Sequence, residues 1–329
     1  MLVLLSGAVI AADLRSWFEE LGLDARATTP LAGDVSPRRY FRLVLDDGTR
    51  LLAAYYPEDL RAAMTRFVAA QALLAGAGVR VPEIHQWSAG RGWMLVEDLG
   101  TATLFECGEL PFEQRRGSFA AAVQSAERIA SLDANEVARL GSPPLDSALL
   151  RRELEPTFDF LFDPGGLAGL PGQRGELRAA LDELCTRLAA APLVPCHRDY
   201  MARNLIPVGS GVAVIDFQDL RLGPPAYDLA SLLNDSFFPD RGLEESLLPE
   251  RWRTSAAREQ YSRAVVQRSL KAGGTFARFA AQGTPRHLPL IAPTLARAAR
   301  HFESLPETAA VFDALRPWWT SELGRTAIC

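Results

Sequence analysis

The stretch from His197 to Gln218 constrains this chain more than any other. It reads His197-Arg198-Asp199-Tyr200-Met201-Ala202-Arg203-Asn204, then eleven residues, then Asp216-Phe217-Gln218. The residues between alternate as two short strands, 205–208 and 212–216, around Gly209-Ser210-Gly211, a glycine turn of the kind that closes a hairpin. A hairpin returns the chain to where it began, so the side-chain oxygens of Asp199, Asn204 and Asp216 are expected to converge. Mg²⁺ is a hard cation that accepts one or two carboxylates and leaves the rest of its sphere to phosphate oxygens and water. Asp216 offers such a carboxylate and Asn204 an amide oxygen. Asp199 supplies a carboxylate that can orient an attacking hydroxyl and accept its proton. The whole pattern, H-x-D-x-x-x-x-N, strand, turn, strand, D-F, suits phosphoryl transfer, where catalysis is mostly positioning and charge stabilisation. Asp199 is therefore the candidate catalytic base, and Asn204 and Asp216 are the candidate metal ligands. A structural alternative stands beside this reading, with Asp199 capping a turn and Asp216 ending a strand at a bend. His197 is expected to bond backbone and shape the loop.

Upstream, residues 40–45 alternate as a strand, Asp46-Asp47-Gly48-Thr49 turns, and 51–56 returns. Helical spacing of Met64, Phe67, Val68, Gln71 and Leu74 predicts a helix from Pro57 to about Gly76. Two more strands follow at 83–87 and 93–97. Residues 13–23 read as an amphipathic helix. After Asp98-Leu99-Gly100 the pattern turns helical, over 112–132, 145–163 and 173–190, with a flexible glycine-rich loop at 163–172. A short strand is expected at 193–196. From about 227 to 323 the chain reads as helical, with breaks near Pro239, Pro249, Gly273-Gly274 and Pro285.

A length of 329 residues suggests two domains, and a net charge of −5 gives no support to a nucleic-acid partner. Of 35 basic residues only Lys271 is a lysine, so any phosphate contact in the N-terminal half must use arginine or backbone N–H groups. Cys107, Cys185, Cys196 and Cys329 have no metal-ligand spacing, and His85, His287 and His301 form no zinc pattern. Free thiols and a reducing, cytoplasmic setting are expected. The opening MLVLLSGAVIAAD has the apolar run and small residues of a signal peptide but lacks a basic start, and it is too short to span a bilayer. No membrane association is expected.

Together with Gly223-Pro224-Pro225-Ala226-Tyr227-Asp228-Leu229-Ala230, which looks like a Pro-x-x-D-L-A segment, the pattern resembles the aminoglycoside phosphotransferase family over nearly the whole chain. The resemblance implies an α+β, bilobal, protein-kinase-like fold. Residues 1–100 would form a small N-terminal lobe with an antiparallel sheet that binds nucleotide. Residues 101–329 would form a larger, mostly helical C-terminal lobe with the catalytic loop and acceptor site. ATP and Mg²⁺ are the implied cofactors, and Asp228 would brace the catalytic loop. A narrower similarity, carried by residues 31–42, His197–Tyr200 and Asp216-Phe217-Gln218-Asp219, is to the anomeric N-acetylmuramate/N-acetylglucosamine kinases of peptidoglycan recycling. By that likeness residues 96–99, with Glu97 and Leu99, would hold adenine. The turn over 33–38, with Ser36, Arg38 and Arg39, would close over the triphosphate, and Arg203, Gln218 and Asp219 would face an amino-sugar substrate.

The family pattern is not complete. The strand 51–56 carries no lysine, and the preceding loop has no G-x-G-x-x-G. Arg38, Arg39 or Arg42 would have to supply the missing phosphate cation, a role that the bidentate arginine fork can fill. Two other readings remain open: a kinase for an aminoglycoside or choline-type alcohol, and a catalytically silent kinase-like binding protein.

Overall fold

The computed structural model describes residues 7–31, 37–163, 165–170, 174–234 and 241–326. The chain divides into two compact units, Met1–Ala72 with Val81–Gly100, and Leu73–Arg80 with Thr101–Cys329.

The first unit is built on an antiparallel sheet of five strands. They are β1 (Ala25–Leu31), β2 (Arg39–Leu45), β3 (Arg50–Tyr55), β4 (Ile84–Ser88) and β5 (Trp93–Glu97), in the order β1-β2-β3-β5-β4. The β2–β3 hairpin forms where the turn chemistry places it. Gly48 takes φ +87°, Thr49 N–H donates to the Asp47 carboxylate at 2.8 Å, and Leu45 N–H closes on Thr49 O at 2.8 Å. Helix α1 (Gly7–Leu21) presents Ile10, Leu14, Trp17 and Phe18, one helical face, to Phe41, Leu43, Leu51, Ala53, Trp93 and Leu95 of the sheet. At roughly 1.5–3 kcal/mol per fully buried large apolar side chain, this face is the main reason α1 is held. Trp93 stacks on Trp17 with centroids 6.3 Å apart, and its indole N–H donates to Asp13 at 2.6 Å, so its one polar atom is satisfied. Helix α2 (Arg61–Gly76) follows the expected span closely.

Strand β1 was absent from the sequence reading, and its side chains explain why. It is an edge strand, exposed along most of its length and containing Pro30, so it has neither a buried alternation nor an unbroken set of donors to mark it.

The second unit is mostly helical. It contains α3 (Phe112–Ala130), α4 (Ala134–Arg139), α5 (Ser147–Glu153), α6 (Arg174–Leu188), α7 (Tyr227–Asn234), α8 (Arg241–Leu247), α9 (Ser255–Ala281), α10 (Ile291–Glu303) and α11 (Ala309–Thr326). Two small antiparallel pairs carry the loop of interest: β6 (Val194–Cys196) with β9 (Arg221–Gly223), and the hairpin β7 (Leu205–Val208) with β8 (Gly211–Val214). The 27-residue α9 packs against α6, α7 and α10.

Two expectations here are corrected. The helix expected over 145–163 is α5 followed by a π-helical segment, Thr157–Phe162, because Pro156 interrupts the α-helical ladder. Gly273-Gly274 does not break α9. A Cβ on Gly274 would lie 2.3 Å from the Thr157 nitrogen, so this glycine is a close-approach site where α9 presses on the π-helical segment. There Thr157 Oγ1 donates to Leu270 O at 2.8 Å.

Candidate functional site

The loop from His197 to Asn204 leaves β6 and enters β7. Its backbone is held from outside by Asp228, at the start of α7, which accepts from His197 N–H at 2.7 Å and Arg198 N–H at 3.0 Å. Burial pushes the Asp228 pKa upward, against the lowering effect of those two bonds. His197 meets Ile215 O through Nε2 at 2.9 Å, which ties the loop to the segment between the end of β8 and Asp216. Tyr200 is fully buried and donates to Ala122 O on α3 at 2.7 Å. Both expected bracing roles, for His197 and Asp228, are present as hydrogen bonds.

Asn204 N–H bonds Met201 O at 2.8 Å, and its Nδ2 donates to Asp199 O at 2.8 Å. That commitment fixes the amide orientation and leaves Oδ1 as its acceptor atom. Asn204 O takes Ile215 N–H at 3.0 Å, which sets Asn204 beside the residue preceding Asp216. Asp216 is exposed, with φ +63°, and it accepts from Gln218 Nε2 at 2.8 Å. Arg198 also has a positive φ, +77°. Left-handed backbone at two non-glycine residues flanking one site is strain held in place by the bonds just described.

The Asp199 carboxylate stands among three cations. Arg268 Nη1 lies 3.3 Å and Lys271 Nζ 3.6 Å from its Oδ1, both from α9, and Arg198 Nη1 lies 3.7 Å from Oδ2. Glu153 at the end of α5 ties these cations together. It accepts from Arg198 Nε at 3.0 Å and Nη2 at 2.8 Å, lies 3.1 Å from Lys271 Nζ, and accepts from Tyr227 Oη at 3.2 Å. Arg198 reaches on to Asp219 at 3.0 Å, and Arg268 Nη2 donates to Ser231 at 2.8 Å. Burial alone would raise the Asp199 pKa, but Lys271, Arg268 and Arg198 outweigh it and hold the carboxyl well below the usual range. Burial lowers the Lys271 pKa, opposed by Asp199 and Glu153.

The residues expected to face substrate fall as follows. Gln218 and Asp219 join the network through Asp216 and Arg198, and Arg203 lies over the Phe105 ring at 3.5 Å. In the first unit Arg38 lies over the rings of Tyr40 and Tyr56 at 5.9 and 5.7 Å. Arg39 begins β2, Glu97 ends β5 with its carboxylate accepting from Glu83 N–H at 3.2 Å, and Leu99 is half-buried in the loop beyond. Arg42 grips the fully buried Asp98 carboxylate through Nε at 2.7 Å and Nη2 at 3.1 Å, which commits the fork considered for phosphate. Ser36 lies outside the described residues.

Glu153, Arg268, Lys271 and Ser231 were not candidates from sequence. Arg268 and Lys271 sit three apart on one helical face, and Lys271 is the sole lysine. Those were the available signals, but nothing in the sequence linked them to Asp199, some seventy residues away.

Asn204 and Asp216 offer hard oxygen donors suited to Mg²⁺. No group of three or more His, Cys, Asp or Glu side chains poised to hold a metal occurs among the described residues. Two protein oxygens, with the remaining sphere left to phosphate and water, is the set that Mg²⁺ in a nucleotide site uses.

An antiparallel five-stranded sheet unit and a mostly helical unit carrying this loop define a kinase-like fold. An ADP-bound aminoglycoside phosphotransferase superposes with a TM-score of 0.60, covering 91% of this chain and 98% of that one at 11% identity. Residues 27–265 match the phosphotransferase enzyme family, and the chain belongs to it. Among its relatives are the N-acetylmuramate/N-acetylglucosamine kinases of Pseudomonas putida, 33% identical over 282 residues (80% of each chain), and Pseudomonas aeruginosa, 34% identical over 282 residues (79% of each). The chain is thus a phosphotransferase enzyme, with a nucleotide and a small molecule as the substrates that its family uses. No described helix is long and apolar enough to cross a membrane.

Proposed function

We propose that this enzyme transfers the γ-phosphoryl group of ATP, with Mg²⁺, to the anomeric hydroxyl of N-acetylmuramic acid or N-acetylglucosamine, in the cytoplasm. The observation that carries this reading is the braced loop of Asp199, whose backbone carbonyl accepts from Asn204 Nδ2 while Asn204 O accepts from Ile215 N–H, next in sequence to Asp216. Asp199 orients the acceptor hydroxyl and takes its proton. The hydroxyl oxygen forms the new bond to phosphorus, and the bond to the β,γ-bridging oxygen breaks with its electron pair leaving on ADP. Asn204 and Asp216 hold Mg²⁺, which supplies charge neutralisation when bound. Gln218 aligns the Asp216 carboxylate through its hydrogen bond. Nucleotide binding is assigned to residues 1–100, through Arg38, Arg39, Glu97 and Leu99, and the acceptor and catalytic groups to 101–329.

The alternative acceptors differ in charge. Aminoglycosides and choline are cations, but the three cations around Asp199 are matched by the carboxylates of Asp199, Glu153 and Asp219, so this cluster carries no charge preference between acceptors. The amino-sugar acceptor is supported instead by the N-acetylmuramate/N-acetylglucosamine kinases among the relatives. The intact oxygen set speaks against the silent reading.

The test is ADP release with N-acetylglucosamine, N-acetylmuramic acid, kanamycin and choline as acceptors. Turnover of the two sugars alone is expected. Turnover of kanamycin or choline in preference to them overturns the acceptor assignment, and ATP binding with no turnover of any acceptor supports the silent protein.

A further inference from the structure

The chain contains 35 basic residues, of which 34 (35 − 1) are arginine, and it places its single lysine beside the expected base. Arginine is always charged and acts as a broad, planar fork, whereas lysine is a compact ammonium with three rotatable donors. In a chain that uses arginine nearly everywhere else, the site of the exception calls for an ammonium. Its surroundings show what the ammonium is free to do. The Lys271 side chain is 15% exposed, and its Nζ has Glu153 Oε1 at 3.1 Å and Asp199 Oδ1 at 3.6 Å as ion-pair neighbours. It completes hydrogen-bond geometry with neither. The two guanidiniums nearby are engaged, Arg198 with Glu153 and Asp219, and Arg268 with Asp199 and Ser231. Lys271 therefore brings charge to the site with uncommitted donors.

The position of those donors follows from the reaction. A hydroxyl oriented by Asp199 sits roughly 3 Å from its carboxylate, with the phosphorus it attacks about 3–3.5 Å further on. An ammonium 3.6 Å from Asp199 Oδ1 shares that carboxylate with the hydroxyl and lies at most roughly 6–7 Å from the attacking oxygen, a gap that rotation of the four-carbon lysine stem can close.

We propose that Lys271 is a catalytic residue on the acceptor side, its ammonium donating to the phosphoryl group as that group reaches the hydroxyl oxygen beside Asp199. This rests on the phosphotransfer reading above and extends it. As the new oxygen–phosphorus bond forms and the bond to ADP breaks, negative charge spreads over the equatorial phosphoryl oxygens. Lys271 then exchanges its loose pairing with Glu153 for a bond to one of them. Glu153 remains satisfied by Arg198 and Tyr227, so it can release the ammonium without being left unpaired.

An interaction made only in the transition state lowers kcat and leaves ground-state binding alone. Lys271→Met is expected to reduce kcat by about 100-fold or more, in the range of a lost transition-state donor, with KM for ATP and for the sugar changed less than about threefold. Lys271→Arg should not restore the rate. Since removing one partner of a buried pair can unfold a protein, the double variant Glu153→Gln/Lys271→Met, which removes both charges, is measured alongside with its melting temperature.

A second readout is independent of turnover. Nitrogen-15 lysine labelling gives one side-chain resonance in this single-lysine chain. It should shift on adding MgADP with aluminium fluoride, a mimic of the group in flight, and stay in place with MgADP alone. A raised sugar KM at unchanged kcat, full activity in Lys271→Arg, or a resonance that ignores aluminium fluoride each overturns the proposal. If the wild type turns over none of the sugars while the resonance still shifts with aluminium fluoride, the sugar assignment fails and the role of Lys271 stands.

Discussion

Replacing Gly274 by alanine tests whether the depth of α9 sets the catalytic geometry. A Cβ there would stand 2.3 Å from Thr157 N, 2.5 Å from Thr157 Oγ1 and 2.6 Å from Thr157 Cα. Two of these are backbone atoms, which cannot rotate away. Ordinary contact begins near 3.4 Å, so α9 must retreat from the π-helical segment by about 1 Å, the difference 3.4 − 2.3. That displacement strains the 2.8 Å bond from Thr157 Oγ1 to Leu270 O, worth ~0.5–1.5 kcal/mol. Overpacking adds roughly 1–3 kcal/mol, and the better helix propensity of alanine returns up to about 1 kcal/mol. The net expectation is a loss of about 1–3 kcal/mol, a fall of several degrees in melting temperature. Lys271 lies within one turn of the clash and Arg268 within two on the same helix, at 3.6 and 3.3 Å from Asp199. A shift near 1 Å at a catalytic group can lower the rate by about 100-fold. Differential scanning fluorimetry and ADP release on the same preparation read both effects. A variant as stable as wild type, or more so, with unchanged kcat would show that α9 has room to spare and that its close approach does not position the site.

Three further outcomes follow from the same geometry. Asp199→Asn should lower kcat by roughly 10²–10⁴-fold while keeping ATP affinity, and an ATP-binding titration beside the rate assay separates the two. Asp228→Ala strands two loop N–H groups, His197 and Arg198, at ~1–3 kcal/mol each; urea unfolding should register a loss of a few kcal/mol, with turnover falling too. Burial, together with Arg300, Arg258 and Arg297, lowers the His301 pKa from 6.5 to about 3. The unfolded chain therefore binds a proton that the folded chain refuses, and stability should decline as pH falls from 6.5 towards 3, by up to about 1.4 kcal/mol per pH unit from this group. In His301→Gln, melting temperature against pH should flatten across that window.

How much of this was legible in the sequence depended on whether the signal was local. The β2–β3 hairpin was readable because Asp47 and Gly48 dictate their own turn, and the β7–β8 hairpin because it lies between two fixed motifs. Strand β1 was not, since an exposed edge strand has no buried face to create alternation. The glycines at 273 and 274 were misread as a break because α9 runs on through both, and the close neighbour of Gly274, Thr157, lies more than a hundred residues away. The same distance hid half of the site. The oxygens of Asp199, Asn204 and Asp216 share one motif, and the loop bracing by Asp228 follows soon after. Glu153, Arg268 and Lys271 reach Asp199 only through the packing of α5 and α9, which periodicity describes as helical faces without naming their partners.

The central claim is that Asp199 directs phosphoryl transfer to the anomeric oxygen of an amino sugar. Proton–phosphorus NMR of the product formed from N-acetylglucosamine and ATP tests it most directly. Coupling of the new phosphorus signal to the anomeric proton alone, with no such product from Asp199→Asn, is the expected result. Coupling to the C6 methylene protons, or the same product at the same rate from the Asp199 variant, would contradict it.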